Sequence, residues 1–273
     1  SQKQSLLPKI VEGNLTTALA LEESSRHSPF SISTQAKKNG DNYEITGEKT
    51  FVIDGNSASL LVVAARTDGD VDDESGMTLF LVDPSADGLE ITKTSMVDSR
   101  NSAQIKFNNV VVSSTETLGE LNNGSGLLEN VLDRAQIAIS AEMLGNASQA
   151  FDITLEYLKE RKQFGAVIGT FQALQHRAAE MYSELELTKS SVIAACNAVD
   201  DNSNDLKRMA SLAKFKAGET NYLVTNEAVQ MHGGVGVTDE YDVGLYLKRA
   251  RVTEQIFGNS EYHIDRYATL SDY

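Results

Sequence analysis

Leu127–Glu160 reads LLENVLDRAQIAISAEMLGNASQAFDITLEYLKE, a run of more than 30 residues without proline. Its apolar positions Leu128, Val131, Leu132, Ala135, Ile139, Met143, Ala147 and Phe151 recur at three- and four-residue steps. That period predicts one long amphipathic helix. Downstream the same period continues. Thr170 can cap a second helix carrying Phe171, Leu174, Ala178, Met181 and Leu185 on one face. Asn204 or Asp205 can cap a third, which runs to His232 and ends at the glycine cluster Gly233-Gly234-Val235-Gly236. A shorter helix from about Asp239 and a last one after Gly258 complete an antiparallel bundle.

Upstream the period is two. Asn42–Ile53, NYEITGEKTFVI, alternates, and Thr46-Gly47 reads as a hairpin turn. Leu60–Arg66, Met77–Val82 and Ala103–Val112 are further short strands, with turn signals at Asp54-Gly55, Asp68-Gly69 and Asp87-Gly88. Short strands at this spacing predict a small barrel or sandwich. The fold class is therefore α+β: a β-domain over residues 1–115, then a helical bundle over 116–273. Ser113–Ser125 reads as the linker, and the acidic stretch Asp68–Glu74 as an exposed loop.

Composition narrows the function. The 39 acidic residues against 24 basic ones give a net charge of −15. A field of that sign repels nucleic acid and anionic lipid. No apolar run approaches a membrane span. The amino terminus, SQKQSLLPKI, has neither a signal pattern nor an initiator Met, so residues are expected to precede Ser1. A single cysteine, Cys196, excludes an internal disulfide framework and suits a reducing, cytoplasmic compartment. His27, His176, His232 and His263 form no HExxH pair, so no metal site is predicted. No GxSxG marks a triad hydrolase. The run His232–Val237, HGGVGV, follows a helix rather than a strand, so it is no dinucleotide fingerprint. Taken alone, its glycines are a helix cap and Arg161 is a solvated charge at a helix C-terminus.

Two motifs change that reading. Glu160–Gly169, ERKQFGAVIG, followed by Phe171-Gln172-Ala173-Leu174-Gln175, resembles the helix-turn-helix signature of the acyl-CoA dehydrogenase family. Gln230–Thr238, QMHGGVGVT, with Glu240-Tyr241 after it, is similar to that family's second carboxy-terminal signature. Leu7-Pro8-Lys9-Ile10, Glu12-Gly13, a strand over Ala18–Glu22, and Gly47-Glu48-Lys49 fall in the family's order. The resemblance covers the family's middle β-barrel and its carboxy-terminal bundle, but not its amino-terminal helical domain. It implies FAD, αβ-dehydrogenation of an acyl-CoA thioester, oligomerisation, and an electron-accepting flavoprotein as partner. The chemistry requires a base at the α-carbon, donors to the thioester carbonyl, and a flavin held flat against the Cα–Cβ bond.

By the same resemblance, one subunit lends the adenine and pyrophosphate half of the flavin site to another. Arg161, Phe164, Gln230, Gly233 and Gly234 match those positions, and Ser260 is grouped with them as cofactor-binding. The half that holds the flavin ring departs from the pattern. Leu21-Glu22-Glu23-Ser24-Ser25-Arg26-His27 stands where the family has Thr-Glu-Pro and small residues. Phe51-Val52-Ile53 stands for Trp-Ile-Thr, so Ile53 brings no hydroxyl. Ile256-Phe257-Gly258-Asn259-Ser260 places Gly258 where the usual catalytic glutamate belongs. Ala135 occupies the alternative base position on the long helix. Glu142, two turns on, is the outside candidate for the base; Glu254 and Glu261 are weaker ones, and Asp133 reads as a pocket residue or as a helix-surface or capping group. The expected assembly is a dimer or a dimer of dimers. The leading expectation is a hetero-oligomer subunit lending the adenine-side half-site. The alternatives are a homo-oligomeric dehydrogenase with an unusual base, or a flavin-free scaffold with a relict site.

Overall fold

The computed structural model describes residues 1–273 except Glu74. Two compact units make up the chain, Ser1–Asn130 and Val131–Tyr273.

The first unit opens with helix α1 (Gln2–Val11), where the strand-rich reading had no helix. Its strands are β1 (Thr17–Ala20), β2 (Gln35–Asn39), β3 (Asn42–Ile53), β4 (Leu60–Arg66), β5 (Met77–Val82), β6 (Leu89–Ser95), β7 (Asn101–Ser113) and β8 (Thr117–Leu118). They form one mixed sheet in the order β6-β7-β3-β2-β4-β5-β8, with β1 added in parallel to β4. Strands β1 and β2 share one edge of β4, at Leu60–Val63 and at Arg66 respectively. Tyr43 on β3 and Phe80 on β5 meet at 5.2 Å although two strands separate them in the sheet. The sheet therefore curls around its own core, which includes Ile45, Val63, Phe80, Ile105 and Phe107. Strands β2 and β6 escape the apolar-run reading because QAKKN and LEITKTS are half polar; β6 is an edge strand and mostly exposed.

Thr46-Gly47 is not a hairpin turn. β3 runs through it, and the ladder to β7 shifts register between Ile45 and Gly47. Gly47 has φ +153°, and a Cβ there would lie 2.6 Å from Thr34 Oγ1, so the glycine serves a bulge pressed against a neighbouring strand entry. The hairpin turn lies earlier, between Asn39 and Asn42. Ser113–Ser125 is likewise more than a linker: β8 pairs there with β5, Leu118 opposite Leu79. Asp68–Asp73 is an exposed irregular loop, as read, while Glu74 lies outside the described residues.

The second unit is helical. α2 (Gly124–Glu160) begins in the first unit and crosses into it. A short hairpin, β9 (Lys162–Gln163) and β10 (Ala166–Val167), leads to α3 (Gln172–Asp200). Then come α4 (Leu206–His232), α5 (Val243–Gln255) and α6 (Ser260–Thr269). The core draws Ala147 and Phe151 from α2, Met181 and Leu185 from α3, Val224 and Ala228 from α4, and Val243 from α5. Val131 departs from the predicted apolar stripe and is half exposed. Thr170 does not cap α3; its hydroxyl donates to the Val167 carbonyl, and Phe171 is the N-cap. Asp205 is the N-cap of α4 by position, but its carboxylate pairs with Arg208 instead of a backbone N–H. α5 starts after Asp242 rather than at Asp239.

Candidate flavin-nucleotide half-site

α2 ends at Glu160, and Arg161 is the first residue beyond it, its N–H still bonded to the Tyr157 carbonyl at 2.9 Å. The β9–β10 hairpin follows, with Phe164 and Gly165 at its tip, both at positive φ. A bulky residue in the left-handed region is costly. Here it turns the Phe164 ring outward, 93% exposed, edge-on to Phe171 at 6.5 Å. Arg161 is exposed and makes no ion pair among the described residues.

The second signature lies at the end of α4. Gln230 is exposed on its last turn, and Gly233 ends the helix at φ +65°. The three glycines of this run have different reasons to be glycine. Gly233 needs its backbone conformation. A Cβ on Gly236 would lie 2.8 Å from His232 Cβ and the Val229 carbonyl oxygen, so Gly236 is fixed by internal packing. Gly234 has neither constraint: its φ is unexceptional, and a Cβ would meet nothing within 4 Å. The fold itself gives no reason for a glycine at 234, whereas a group approaching the backbone from outside does. On that observation the open surface here fits a nucleotide.

A residue that neither motif contains joins the two signatures. Tyr157, one turn before Arg161, stacks on His232 with ring centroids 4.2 Å apart and planes 23° apart. Its hydroxyl donates to the His232 carbonyl at 3.3 Å. Tyr241 closes the box, 5.3 Å from Tyr157 and 5.0 Å from His232. His232 is buried, with Nδ1 2.7 Å from the Ala228 carbonyl, and burial pushes its pKa below the ordinary value. The only sequence signal for this box was the aromatic character of Tyr157 and Tyr241 at the edges of the two motifs.

The turn at Gly258 is built the opposite way. Phe257 and Gly258 both have positive φ, at +57° and +98°. Their carbonyls point into the bundle. The Phe257 carbonyl accepts from Gln136 Nε2 at 3.3 Å and lies 3.0 Å from His263 Nε2. Lys214, fully buried on α4, donates to the Gly258 carbonyl at 2.8 Å and to the Glu254 carbonyl at 3.1 Å. Burial pushes the Lys214 ammonium down to about 8, against the pull of Glu254. Gly218 makes room beside it: a Cβ there would fall 2.5 Å from Glu254 Oε2. None of Gln136, Lys214, Gly218 or His263 was singled out from the sequence as part of this turn, because their partners are backbone carbonyls distant in the chain.

Neither Gly258 nor half-buried Ala135 carries a carboxylate, and the acids near them are engaged. Glu142 pairs with Arg249 Nε at 2.6 Å. Asp133, 2% exposed, pairs with Arg266 Nη2 at 2.6 Å, and Arg266 also donates to Gln136. Glu254 Oε1 accepts from both the backbone N–H and the hydroxyl of Ser260 at 2.8 Å, closing the first turn of α6. That bond holds Ser260 inside its own chain. Glu261 is exposed on α6.

In the first unit the Leu21–His27 loop is stitched to β3. Lys49, fully buried, donates to the Leu21 carbonyl at 3.1 Å and to Glu23 Oε1 at 2.7 Å. Burial alone would raise the Glu23 pKa, but the Lys49 charge and donors from Lys49, Ser33 and Thr34 hold it at about 2. The Thr50 N–H donates to the Glu22 carbonyl at 2.7 Å, and Glu22 Oε1 lies 2.5 Å from His27 Nδ1. Phe51, next along β3, has φ +49° where the ladder shifts register again. Ile53 offers only an apolar side chain. Among the described residues no cluster of His, Cys, Asp and Glu could hold a metal ion, and no helix is long and apolar enough to cross a membrane.

Residues 18–110 match the family model for the acyl-CoA dehydrogenase middle domain, and residues 122–269 match that for its C-terminal domain. The chain belongs to the acyl-CoA dehydrogenase family, whose members are FAD flavoproteins and oxidoreductases acting on CH–CH bonds. It is 33% identical over 270 residues to the mitochondrial short/branched chain specific acyl-CoA dehydrogenase of Bos taurus, covering 98% of this chain and 62% of that protein. It is also 33% identical to the 3-(aryl)acrylate reductase of Clostridium sporogenes, over 95% of this chain and 70% of that protein. The acyl-CoA dehydrogenase structure from Geobacillus kaustophilus superposes with a TM-score of 0.94 at 31% identity, covering all of this chain and 73% of that one. The chain thus spans about 62% of the length of the bovine relative.

Proposed function

We propose that the chain is a subunit of an FAD-dependent acyl-CoA dehydrogenase that lends the adenine-side half of the flavin site to a second, unlike subunit. The observation that supports this is the contrast between the two ends of the bundle. Arg161, Phe164, Gln230 and Gly234 are exposed, and nothing among the described residues accounts for the charge at 161 or the glycine at 234. The base positions Gly258 and Ala135 are without a carboxylate; Asp133 pairs with Arg266 in the interior, Glu142 is in an exposed pair with Arg249, and Glu254 bonds Ser260 through Oε1 alone.

FAD, when bound, supplies the hydride acceptor for dehydrogenation of the acyl-CoA thioester. This chain's part is binding. Arg161 offers a guanidinium to the diphosphate, a charge-assisted contact. Phe164 offers a ring face and Gln230 an amide, while Gly233 and Gly234 let the backbone approach. The α-proton acceptor comes from the partner subunit, and an electron-accepting flavoprotein reoxidises the assembly. A homo-oligomer using Glu142 as base is less well supported, because Arg249 holds that carboxylate. The exposed free thiol of Cys196 suits a reducing cytoplasmic location.

The test is Arg161→Ala, read by flavin absorbance and fluorescence on the purified protein, alone and mixed with its genomic neighbour's product. Losing this contact costs about 2–4 kcal/mol of binding, roughly 30- to 1000-fold in affinity, with little change in thermal stability. Unchanged flavin content in the variant would sink the half-site reading. Flavin bleaching by an acyl-CoA in the isolated chain, abolished by Glu142→Gln, would replace it with the homo-oligomeric one.

A further inference from the structure

Tyr157 touches both signatures. Its carbonyl accepts the Arg161 N–H, and its hydroxyl donates to the His232 carbonyl, the residue before Gly233. The last carbonyls of a helix have no partner within it, and left loose they let the terminus fray. Here the end of α4 is tied to the end of α2 through one phenol. The tie sets how far the Arg161–Phe164 turn stands from the Gly233–Gly234 backbone.

His232 forms the other side of the tie. Its Nδ1 faces the Ala228 carbonyl, so Nδ1 carries the hydrogen and Nε2 is left as a lone pair. Nε2 is buried and has no hydrogen-bond partner among the described residues. Tyr157 faces the ring from α2 and Tyr241 from the segment before α5, with Gly236 against its Cβ. Both facing titratable groups are phenols, which carry no charge in the acid-to-neutral range. A proton added to Nε2 would bring a charge into the box with no acceptor there. The group that changes charge between the ordinary histidine pKa of about 6.5 and lower pH is therefore His232 itself.

We propose that Tyr157 and His232 are positioning residues for the nucleotide half-site: together they lock the α2 and α4 termini at the spacing that a bound FAD requires, and protonation of His232 releases the lock. This rests on the half-site reading above. A ligand that binds only the locked arrangement loses affinity in proportion to the fraction unlocked.

The experiment measures FAD affinity by flavin fluorescence at pH 7.5 and pH 5.5, with the purified full chain alone and mixed with its genomic neighbour's product, for wild type, Tyr157→Phe, His232→Phe and Arg161→Ala. Tyr157→Phe keeps the ring stack and removes one hydrogen bond, so binding should weaken about fivefold at pH 7.5. Wild type should weaken between pH 7.5 and 5.5 by up to about tenfold, the limit for a released histidine of ordinary pKa. His232→Phe, which keeps an aromatic ring in the box and removes the titrating nitrogen, should show no such pH dependence. If Arg161→Ala loses FAD while Tyr157→Phe binds like wild type, the positioning role is wrong and the half-site reading stands. The same acid loss in wild type and His232→Phe overturns the proton release. Wild type that takes up no FAD at pH 7.5 either alone or with its genomic neighbour's product, or an Arg161→Ala that binds as well as wild type, overturns both.

Discussion

Gly234, in the second carboxy-terminal signature, and Gly258, at the usual base position, each lie just past a helix of the same bundle, and they are glycines for opposite reasons. Gly234 is exposed, has an ordinary φ, and has no atom near where a side chain would begin. Gly258 is buried at φ +98°, with its carbonyl on the Lys214 ammonium. The first is open to something outside the chain. The second is satisfied from within by Gln136, Lys214 and His263 acting on two successive carbonyls. Where a surface is kept for a ligand, polar groups stay unpaired and water holds them until the ligand arrives. Where a turn is closed into the core, its buried carbonyls must find partners in the fold.

That contrast can be broken by substitution. The largest effect should come from Lys214→Met, which keeps the aliphatic stem but strips two buried carbonyls and Glu254 of their cation. A loss of about 3–5 kcal/mol in urea unfolding is expected. A change under about 1 kcal/mol would mean that the Gly258 turn is not held from inside. Next is the Lys49–Glu23 pair of the first unit. Glu23 is held at about 2, below the unfolded carboxyl, so its contribution is present above about pH 4.5 and is lost as pH falls towards 2. Glu23→Gln should remove about 2–3 kcal/mol at pH 7 and flatten the acid limb of a stability–pH profile over that window. An unaltered acid limb would show that the stitching of the Leu21–His27 loop lies elsewhere. The smallest stability effect should be at Gly234. Gly234→Ala should change thermal stability by less than about 0.5 kcal/mol, since nothing there clashes, yet lower FAD affinity. Equal FAD binding would remove Gly234 from the half-site.

Much of the architecture was legible in the residues. The change from a two-residue to a helical period near Gly126 announced the two kinds of structure, and the α4 stop at Gly233 followed from glycine chemistry. Local signals failed where a partner distant in sequence decided the outcome. Thr46-Gly47 has the residues of a turn, yet β7 on one side and Thr34 on the other hold it as a bulge within one strand. Thr170 has the residue type of a helix cap, yet it ends the short turn Ile168–Thr170 and α3 begins one residue later, with Phe171 as its N-cap.

For the site, the sequence alone named Arg161, Phe164, Gln230, Gly233 and Gly234, and showed that Gly258 and Ala135 carry no acid. Side-chain type is written directly in the chain, so an absent carboxylate is as legible as a present guanidinium. Only the tertiary structure decided that Glu142, Asp133 and Glu254 are spoken for, that Tyr157 and His232 tie the two signatures together, and that Lys214 answers the carbonyl of Gly258. Apart from Glu254 with Ser260, six residues on, those are pairings across 44 to 133 residues of chain. No periodicity or motif encodes them, because a hydrogen bond or an ion pair depends on where the fold brings two groups and not on how they are spaced along the chain.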